Sequence, residues 1–137
     1  MGIQGDNFEV MQYNIIRGKV EHGLGKGQYY ISREGYQNQF LQKLGFVPFP
    51  GTLNIKLDEP FIPQAQKTIY IDAFSDQGRN FGKCKCYKIK VYGIEAAIIR
   101  PDLSNYSANL VEVIAPVHLR EALGLDDRDT IEITLYD

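Results

Sequence analysis

The sequence predicts one compact domain, a mostly antiparallel β-barrel of six to eight strands with two short helices. Short segments of alternating apolar and polar residues recur along the chain, separated by turns rich in glycine, proline and asparagine. Only two segments have apolar residues at helical spacing. Because the strands do not alternate with crossover helices, the pattern excludes a doubly wound parallel sheet. The 137 residues suffice for one core and are too few for two comfortable ones.

The composition is that of an ordinary soluble globular protein, with 44% hydrophobic and 23% charged residues. The net charge of −2 argues against nucleic-acid binding, which usually brings a basic excess. No apolar run approaches the roughly 20 residues of a membrane-spanning helix, and the N-terminus lacks the features of a secretory signal. We therefore expect a cytoplasmic monomer with no membrane or nucleic-acid partner. Residues 1–11 have weak periodicity and are expected to form a loosely ordered extension of the single domain over residues 1–137.

The first third of the chain is expected to hold one strand, a glycine-rich loop and the longer helix. Residues 13–21 are predicted as a strand, and residues 28–31 are predicted to resume extended structure after the loop. Ser32 is the expected N-cap of a helix over residues 34–44, and Gly45 is its expected end. The apolar positions at helical spacing are Tyr36, Phe40, Leu41 and Leu44.

The middle of the chain is predicted to be rich in strands. Residues 46–51 must turn, since they contain two prolines and a glycine. The next strand, residues 52–57, is followed by a strand over residues 68–74 and a turn over residues 75–80. In the 52–57 strand, Leu53, Ile55 and Leu57 are predicted to share one face, and Thr52, Asn54 and Lys56 the other.

Residues 81–92 and 94–99 are predicted to form a hairpin around the dipeptide Tyr92-Gly93. Within it, the lysines of K-C-K-C-Y-K-I-K change parity, which indicates a bulge near Cys86 or Tyr87. Cys84 and Cys86 have no second cysteine pair, so a zinc ribbon is excluded and two small half-buried side chains are expected.

The last part of the chain is predicted to be strand, short helix and strand. Residues 110–115 form the first strand, a helix then begins at Pro116 and ends at Gly124, and residues 129–136 form the closing strand. In that strand Ile131, Ile133 and Leu135 are expected to face inward.

The usual catalytic motifs are absent from the sequence. It contains neither the P-loop pattern G-x-x-x-x-G-K-[ST] nor the G-x-S-x-G nucleophile elbow. His22 and His118 are far apart in sequence and lack a metal-binding context, so each taken alone is interpreted as a surface histidine or one with some of its hydrogen bonds satisfied. Three other stretches offer chemistry.

The first stretch is H-G-L-G-K-G-Q-Y-Y, residues 22–30, in which three glycines alternate ahead of two tyrosines. Alternating glycines allow backbone N–H groups to turn toward an anion, and Lys26 could add positive charge. A loose bend before a strand explains the same pattern. On this stretch alone, the bend is the simpler interpretation.

The second stretch is P-G-T-L-N, in which Thr52 and Asn54 lie on one face of a strand just after a tight turn. Two neutral oxygen ligands are too few to hold Mg²⁺ unless substrate phosphates and waters complete its shell. Turn chemistry followed by a polar strand face is the alternative, and spacing alone favours it.

The third stretch is E-V-I-A-P-V-H-L-R-E. Glu112 lies among apolar residues of a strand, and a short helix begins after Pro116 next to His118 and Arg120. A helix start beside an arginine can bind phosphate or the edge of a base. The alternative is a plain strand-to-helix corner with Arg120 and Glu121 in solvent.

Taken together, these stretches resemble the archaeal CTP-dependent riboflavin kinases. The resemblance rests on G-K-V-E-H-G-L-G-K-G-Q-Y-Y-I-S, Q-F-L-Q-K-L-G-F-V-P-F-P-G-T-L-N-I-K-L and V-E-V-I-A-P-V-H-L-R-E-A-L-G-L, and runs from about Ile15 to Tyr136. Residues 60–100 match mainly in hydrophobic pattern. The resemblance implies a cradle-loop β-barrel, related to riboflavin-synthase-like and swapped-hairpin barrels. It also implies transfer of the γ-phosphate of CTP to the ribityl 5′-hydroxyl of riboflavin, giving FMN and CDP.

The resemblance also implies site residues. The magnesium ligands would be Thr52 and Asn54, and the flavin contacts Ser104 and Glu112, with Glu112 orienting the ribityl hydroxyl. The nucleotide-binding residues would be Gly23, Leu24, Gly25, Lys26, Gly27, Gln28, Val117, His118, Leu119 and Arg120.

The sequence departs from the family pattern at three positions. Ser104 stands where threonine is expected, which keeps the hydroxyl group. Gln28 and His118 stand where basic residues are common, so charge at the nucleotide would depend more on Lys26 and Arg120. Some relatives carry an N-terminal winged-helix domain, and this chain is expected to be the kinase domain alone.

Two other functions remain as alternatives. One is a barrel without enzymatic activity that binds DNA or a protein partner, as swapped-hairpin regulators do. The other is a flavin-binding protein without transferase activity. The scattered lysines and the negative net charge count against the DNA-binding alternative.

Overall fold

The computed structural model describes residues 14–23, 30–102 and 107–136, and a closed antiparallel barrel dominates them. The described helices are α1 (Glu34–Leu44) and α2 (Leu119–Leu123), with a 3₁₀ turn at Ala65–Lys67. The described strands are β1 (Asn14–Glu21), β2 (Leu53–Leu57), β3 (Ile69–Ile71), β4 (Phe74–Asp76), β5 (Arg79–Phe81), β6 (Cys84–Val91), β7 (Ile94–Pro101), β8 (Leu110–Ile114) and β9 (Thr130–Leu135).

Six of these strands close the barrel in the order β6-β7-β8-β2-β1-β9, and β9 pairs with β6. All of these pairings are antiparallel. Strand β3 extends the sheet from the first half of β6, and β4 and β5 form a separate hairpin. The predicted fold class, a mostly β barrel with two short helices, is therefore confirmed.

The barrel interior is filled by apolar side chains from every strand of the barrel. The predicted inward positions of β2, Leu53, Ile55 and Leu57, are all buried, as are Ile131 and Ile133 of β9. Each fully buried isoleucine stabilises the fold by about 1.5–3 kcal/mol relative to an exposed one. The interior is therefore a packed core, and any ligand site has to lie outside it.

A second core lies on the outer face of the barrel, under α1. Tyr36, Phe40 and Leu44 of α1 are buried, and Gly45 ends the helix in the left-handed conformation, as predicted. The residues packed below them include Ile71, Cys84, Cys86, Ala97, Ile99 and Ile114. Leu41 was predicted to face this core and is instead 52% exposed, because α1 packs along the narrow i, i+4 ridge of the other three side chains.

The predicted bulge near Cys86 or Tyr87 is wrong. Strand β6 pairs with β7 without interruption from Cys84 to Val91. Cys84, Cys86 and Lys88 share the outer face of β6. Helix α1 covers this face at the two cysteines, whereas the face is open to solvent from Lys88 onward, and this difference produces the change in the lysine pattern. Both cysteines are therefore buried rather than half-buried, and neither forms a disulfide.

The predicted strand over residues 68–74 is divided into β3 and β4. Gln39 of α1 causes the division, because its side-chain amide bonds the backbone of Asp72: Oε1 accepts from the Asp72 N–H at 2.7 Å, and Nε2 donates to the Asp72 carbonyl at 3.0 Å. Similarly, the predicted strand over residues 81–92 begins only at Cys84, since Phe81 belongs to β5.

Residues preceding α1 also differ from expectation. Tyr30 and Ile31 are helical rather than extended, and Ile31 is fully buried in the core under α1. The N-cap of α1 is Arg33, not Ser32, since the Arg33 carbonyl accepts the first helical hydrogen bonds. Tertiary packing of these apolar side chains outweighs the local preference that predicted a strand.

Candidate functional site

The candidate site lies on the outer face of the barrel, where one row of side chains crosses five strands. The cross-strand partners are, in order, Cys86, Ile99, Glu112, Asn54 and Glu21. The first two lie in the core under α1. The last three are polar, so the row changes from apolar to polar at Glu112. We call Glu112, Asn54 and Glu21 the polar end of the row.

Glu112 is buried, with 4% of its surface exposed, and no other charged residue in the described ranges is buried. Its Oε1 accepts a hydrogen bond of 3.1 Å from the hydroxyl of Thr52. Thr52 directly precedes β2, and Asn54 stands opposite Glu112 in the β2–β8 ladder. Strand pairing therefore brings a hydroxyl, an amide and a carboxylate together.

Gly23 packs directly against the amide of Asn54. A Cβ atom at position 23 would collide with Asn54 Nδ2, so only glycine fits here while Asn54 keeps this position. Because the amide nitrogen faces Gly23, the amide oxygen faces away from it. The absence of a side chain at position 23 thus leaves room for the Asn54 amide in this orientation.

The donor set fits a magnesium ion that takes most of its ligands from elsewhere. Thr52 donates its proton to Glu112, which leaves the lone pairs of its oxygen for a cation. The hydroxyl and the amide oxygen are hard donors of the type that Mg²⁺ prefers. In the ranges that the structure describes, no three His, Cys, Asp or Glu side chains form a metal-binding group, so the remaining ligands would be waters and substrate oxygens.

Burial and the nearby carboxylates of Asp102 and Glu112 raise the pKa of the Cys84 thiol to about 12. The thiol is therefore protonated at neutral pH. Cys84, the neighbour of Glu112 on the side of α1, is thus neutral. The negatively charged side chains of the row lie at its polar end.

Arg120 approaches the polar end of the row from α2. Its Nη2 donates to the Glu21 carbonyl at 3.2 Å and to the carboxylate of Asp127. The alternative interpretation of this stretch, with Arg120 in solvent, is wrong, since its side chain is only 31% exposed. Glu121, by contrast, is exposed.

The remaining residues of this stretch have different environments. The helix begins at Leu119 rather than at Pro116, and the Leu119 side chain packs in the barrel core, so only its backbone could contact a ligand. Val117 is exposed, and the His118 ring stacks on Phe49 with their centroids 4.7 Å apart.

The structure thus brings together Gly23, Thr52, Asn54, Glu112 and Arg120, which come from three separate stretches of sequence. The other predicted site residues, Leu24, Gly25, Lys26, Gly27, Gln28 and Ser104, lie outside the described residues.

Sequence reasoning missed Phe49, Asp127 and Glu21, all of which contact predicted site residues. Phe49 was interpreted only as part of a turn, and no role was predicted for Asp127. The single available signal was the aromatic residue between the two prolines of F-V-P-F-P-G. Glu21 takes part through its backbone carbonyl, which no side-chain pattern reveals.

The comparison with protein families decides the assignment. The family model CTP-dep_RFKase, described as "Domain of unknown function DUF120", matches residues 20–135. The chain belongs to the archaeal CTP-dependent riboflavin kinase family. The match includes all three stretches of the candidate site, from Gly23 through Thr52 to Arg120.

Curated relatives in the CTP-dependent riboflavin kinase family come from several archaea and are named riboflavin kinase. That of Methanocella arvoryzae is 57% identical over 121 residues, covering 88% of this chain and 56% of the relative. That of Archaeoglobus fulgidus is 45% identical, covering 86% and 53%. That of Pyrobaculum aerophilum is 41% identical, covering 93% and 63%. The chain therefore spans little more than half the length of these relatives.

Within the described part of the chain, no helix is long and apolar enough to cross a membrane.

Proposed function

We propose that this chain is a CTP-dependent riboflavin kinase, which transfers the γ-phosphate of CTP to the ribityl 5′-hydroxyl of riboflavin. The observation that carries the proposal is the set of Thr52, Asn54 and Glu112, joined by strand pairing and flanked by Gly23 and Arg120. The names of the curated relatives support riboflavin as the acceptor, and the name of the family model, CTP-dep_RFKase, supports CTP as the donor.

The reaction needs alignment and neutralisation of charge more than covalent chemistry from the protein, because phosphoryl transfer passes through a loose transition state. The ribityl oxygen forms a bond to the γ-phosphorus while the bond to the β–γ bridging oxygen breaks, and CDP leaves with that electron pair. Glu112 orients the attacking hydroxyl and accepts its proton. Its burial beside an apolar core keeps water away from the acceptor.

A kinase activity implies a divalent metal requirement, and we infer that the metal is Mg²⁺ held by the Thr52 hydroxyl and the Asn54 amide oxygen. When bound, it would neutralise negative charge on the phosphate oxygens of CTP. The protein's own contribution is to fix both ligands, Thr52 through its bond to Glu112 and Asn54 through its contact with Gly23. Arg120 adds positive charge beside the polar end of the row.

A single assay tests the proposal against both alternatives. The protein is incubated with riboflavin, Mg²⁺ and either CTP or ATP, and FMN is measured by chromatography. We expect FMN with CTP. A protein that binds riboflavin but forms no FMN with either nucleotide, even at high protein concentration, is a flavin-binding protein and not a kinase. Absence of both binding and turnover would favour the barrel that binds DNA or a protein partner.

Replacing Gly23 with alanine is expected to lower turnover about tenfold or more while leaving riboflavin affinity unchanged. The new methyl group displaces the Asn54 amide and so disturbs a magnesium ligand. Steady-state kinetics and a riboflavin fluorescence titration give the two quantities. Gly82→Ala is the matched control, because a Cβ atom there meets nothing within 4 Å. Equal turnover in the Gly23 variant and the control would show that the contact with Asn54 has no functional role.

A further inference from the structure

Asp127 lies in the turn between α2 and β9, outside the three stretches that form the candidate site. Its Oδ1 accepts a hydrogen bond from Nη2 of Arg120, and its Oδ2 lies 3.8 Å from Nδ1 of His22. These two partners come from α2 and from the residue that follows β1. One carboxylate therefore bonds to α2 and lies close to the residue that follows β1.

The turn that carries Asp127 is itself fixed to β1 by backbone hydrogen bonds. The Arg128 N–H donates to the Val20 carbonyl at 2.7 Å, and the Val20 N–H donates to the Asp129 carbonyl at 2.9 Å. The backbone on the far side of Asp127 is also held, because the Asp126 N–H donates to Asp129 Oδ2 at 2.7 Å. The backbone that carries the Asp127 side chain is therefore held in place before any ligand binds.

Arg120 is oriented by two acceptors at once. The same Nη2 that donates to Asp127 also donates to the Glu21 carbonyl at 3.2 Å, and neither bond uses the N–H groups of Nε or Nη1. Glu21 is the cross-strand partner of Asn54, and Gly23 contacts the Asn54 amide. An arginine side chain loses rotamer entropy when it binds a ligand, and a partner that holds the side chain beforehand removes part of that loss.

We propose that Asp127 is a positioning residue for the nucleotide: it holds the Arg120 guanidinium against the end of β1, beside the polar end of the row, so that this guanidinium meets the phosphates of CTP already oriented. The inference rests on the proposed function. An orienting role and a purely electrostatic role for Asp127 predict opposite effects of removing its carboxylate. A negative carboxylate repels phosphate, so removing it should tighten nucleotide binding if Asp127 acted only through its charge. If it acts by orienting Arg120, removing it should weaken nucleotide binding.

The test compares Asp127→Ala, Asp127→Asn and the matched control Asp126→Asn, which changes a neighbouring exposed carboxylate in the same way. We expect Asp127→Ala to raise the KM for CTP about tenfold and to leave the KM for riboflavin unchanged. The tenfold change is the effect expected from losing the one arginine–carboxylate hydrogen bond that orients Arg120. Asp127→Asn keeps an acceptor for Arg120 and should stay within about threefold of wild type. In an Arg120→Ala background, Asp127→Ala should have no further effect on the KM for CTP.

Calorimetric titration with CDP and Mg²⁺ separates failure of this inference from failure of the proposed function. A wild-type protein that forms no FMN refutes the kinase, and the affinity for CDP then decides the role of Asp127. A CDP affinity lowered in Asp127→Ala, and unchanged in Asp126→Asn, supports the inference. An unchanged or higher affinity in Asp127→Ala overturns it, and so does a wild-type protein that binds no CDP. Equal increases in both KM values, with a lowered melting temperature, would mean a structural role only and would also overturn it.

Discussion

Replacing both Thr52 and Asn54 with alanine is expected to abolish FMN formation, with a fall in kcat of about 1,000-fold or more, while riboflavin still binds. The two side chains supply the protein's oxygen ligands for the metal, and losing one group that stabilises transition-state charge typically costs about 100- to 1,000-fold. Riboflavin binding should survive, because the apolar core under α1 and the buried carboxylate of Glu112 remain. Single-turnover kinetics and a riboflavin titration measure the two effects.

The matched control for this double variant is Lys56→Ala. Lys56 lies on the same outward face of β2, two residues beyond Asn54, and is exposed. Loss of the Thr52 hydroxyl also removes a hydrogen bond to a buried carboxylate, so a stability loss of about 1–3 kcal/mol is expected and should be followed by thermal unfolding. Binding of Mn²⁺ in the presence of CDP, followed by electron paramagnetic resonance, reports the metal site independently of turnover. Unimpaired activity in the double variant would show that the metal assignment is wrong.

Glu112→Gln is expected to lower kcat about 100-fold or more, with a smaller change in the KM for riboflavin. The substitution keeps the shape of the side chain and an acceptor for the Thr52 hydroxyl, so the fold should persist. It removes the group that accepts the proton of the ribityl hydroxyl, and loss of a general base typically costs about 100- to 10,000-fold. The pH profile of kcat and direct binding of riboflavin complete the measurement.

Glu59→Gln is a suitable control for Glu112→Gln, since Glu59 is exposed and lies outside the site. The kinetic pattern separates two roles for Glu112. If kcat is preserved and riboflavin binding is lost, Glu112 only binds the flavin. A loss of kcat at constant riboflavin affinity supports the role in orienting and deprotonating the hydroxyl.

Strand alternation and glycine helix ends carried most of the fold prediction. The inward residues of β2, the hairpin at Tyr92-Gly93 and the ends of both helices at Gly45 and Gly124 are where the sequence placed them. These features depend on neighbours within a few residues, so local sequence contains the necessary information.

Features that depend on a distant partner were not predictable from the sequence. Gln39 divides a predicted strand by bonding the backbone of Asp72, which is 33 residues away. The lysine pattern of β6 reflects which half of the strand α1 covers, and a bulge gives the same pattern. Both errors arose because tertiary contacts replaced the local rule.

The candidate site also has features that local sequence predicted and features that depend on distant partners. The first two stretches alone favoured a plain structural interpretation, the third left both interpretations open, and only the family resemblance joined them. The structure adds the register that sets Asn54 opposite Glu112, and the bonds from Arg120 to Glu21 and Asp127. Register between non-neighbouring strands is fixed by the assembled barrel, so it could not be derived from one stretch at a time.

The pairing of β1 with β9 has a consequence for how the protein folds. Arg17 and Glu132 face each other across this pair although 115 residues separate them in the chain. A sheet closed by such distant segments has a high contact order, which slows folding because a long loop must be ordered before the contacts form. On the ribosome, β1 emerges before β9, and the barrel closes only after β9 has been synthesised. Until then one edge of β1 stays unpaired, and an unpaired strand edge favours aggregation.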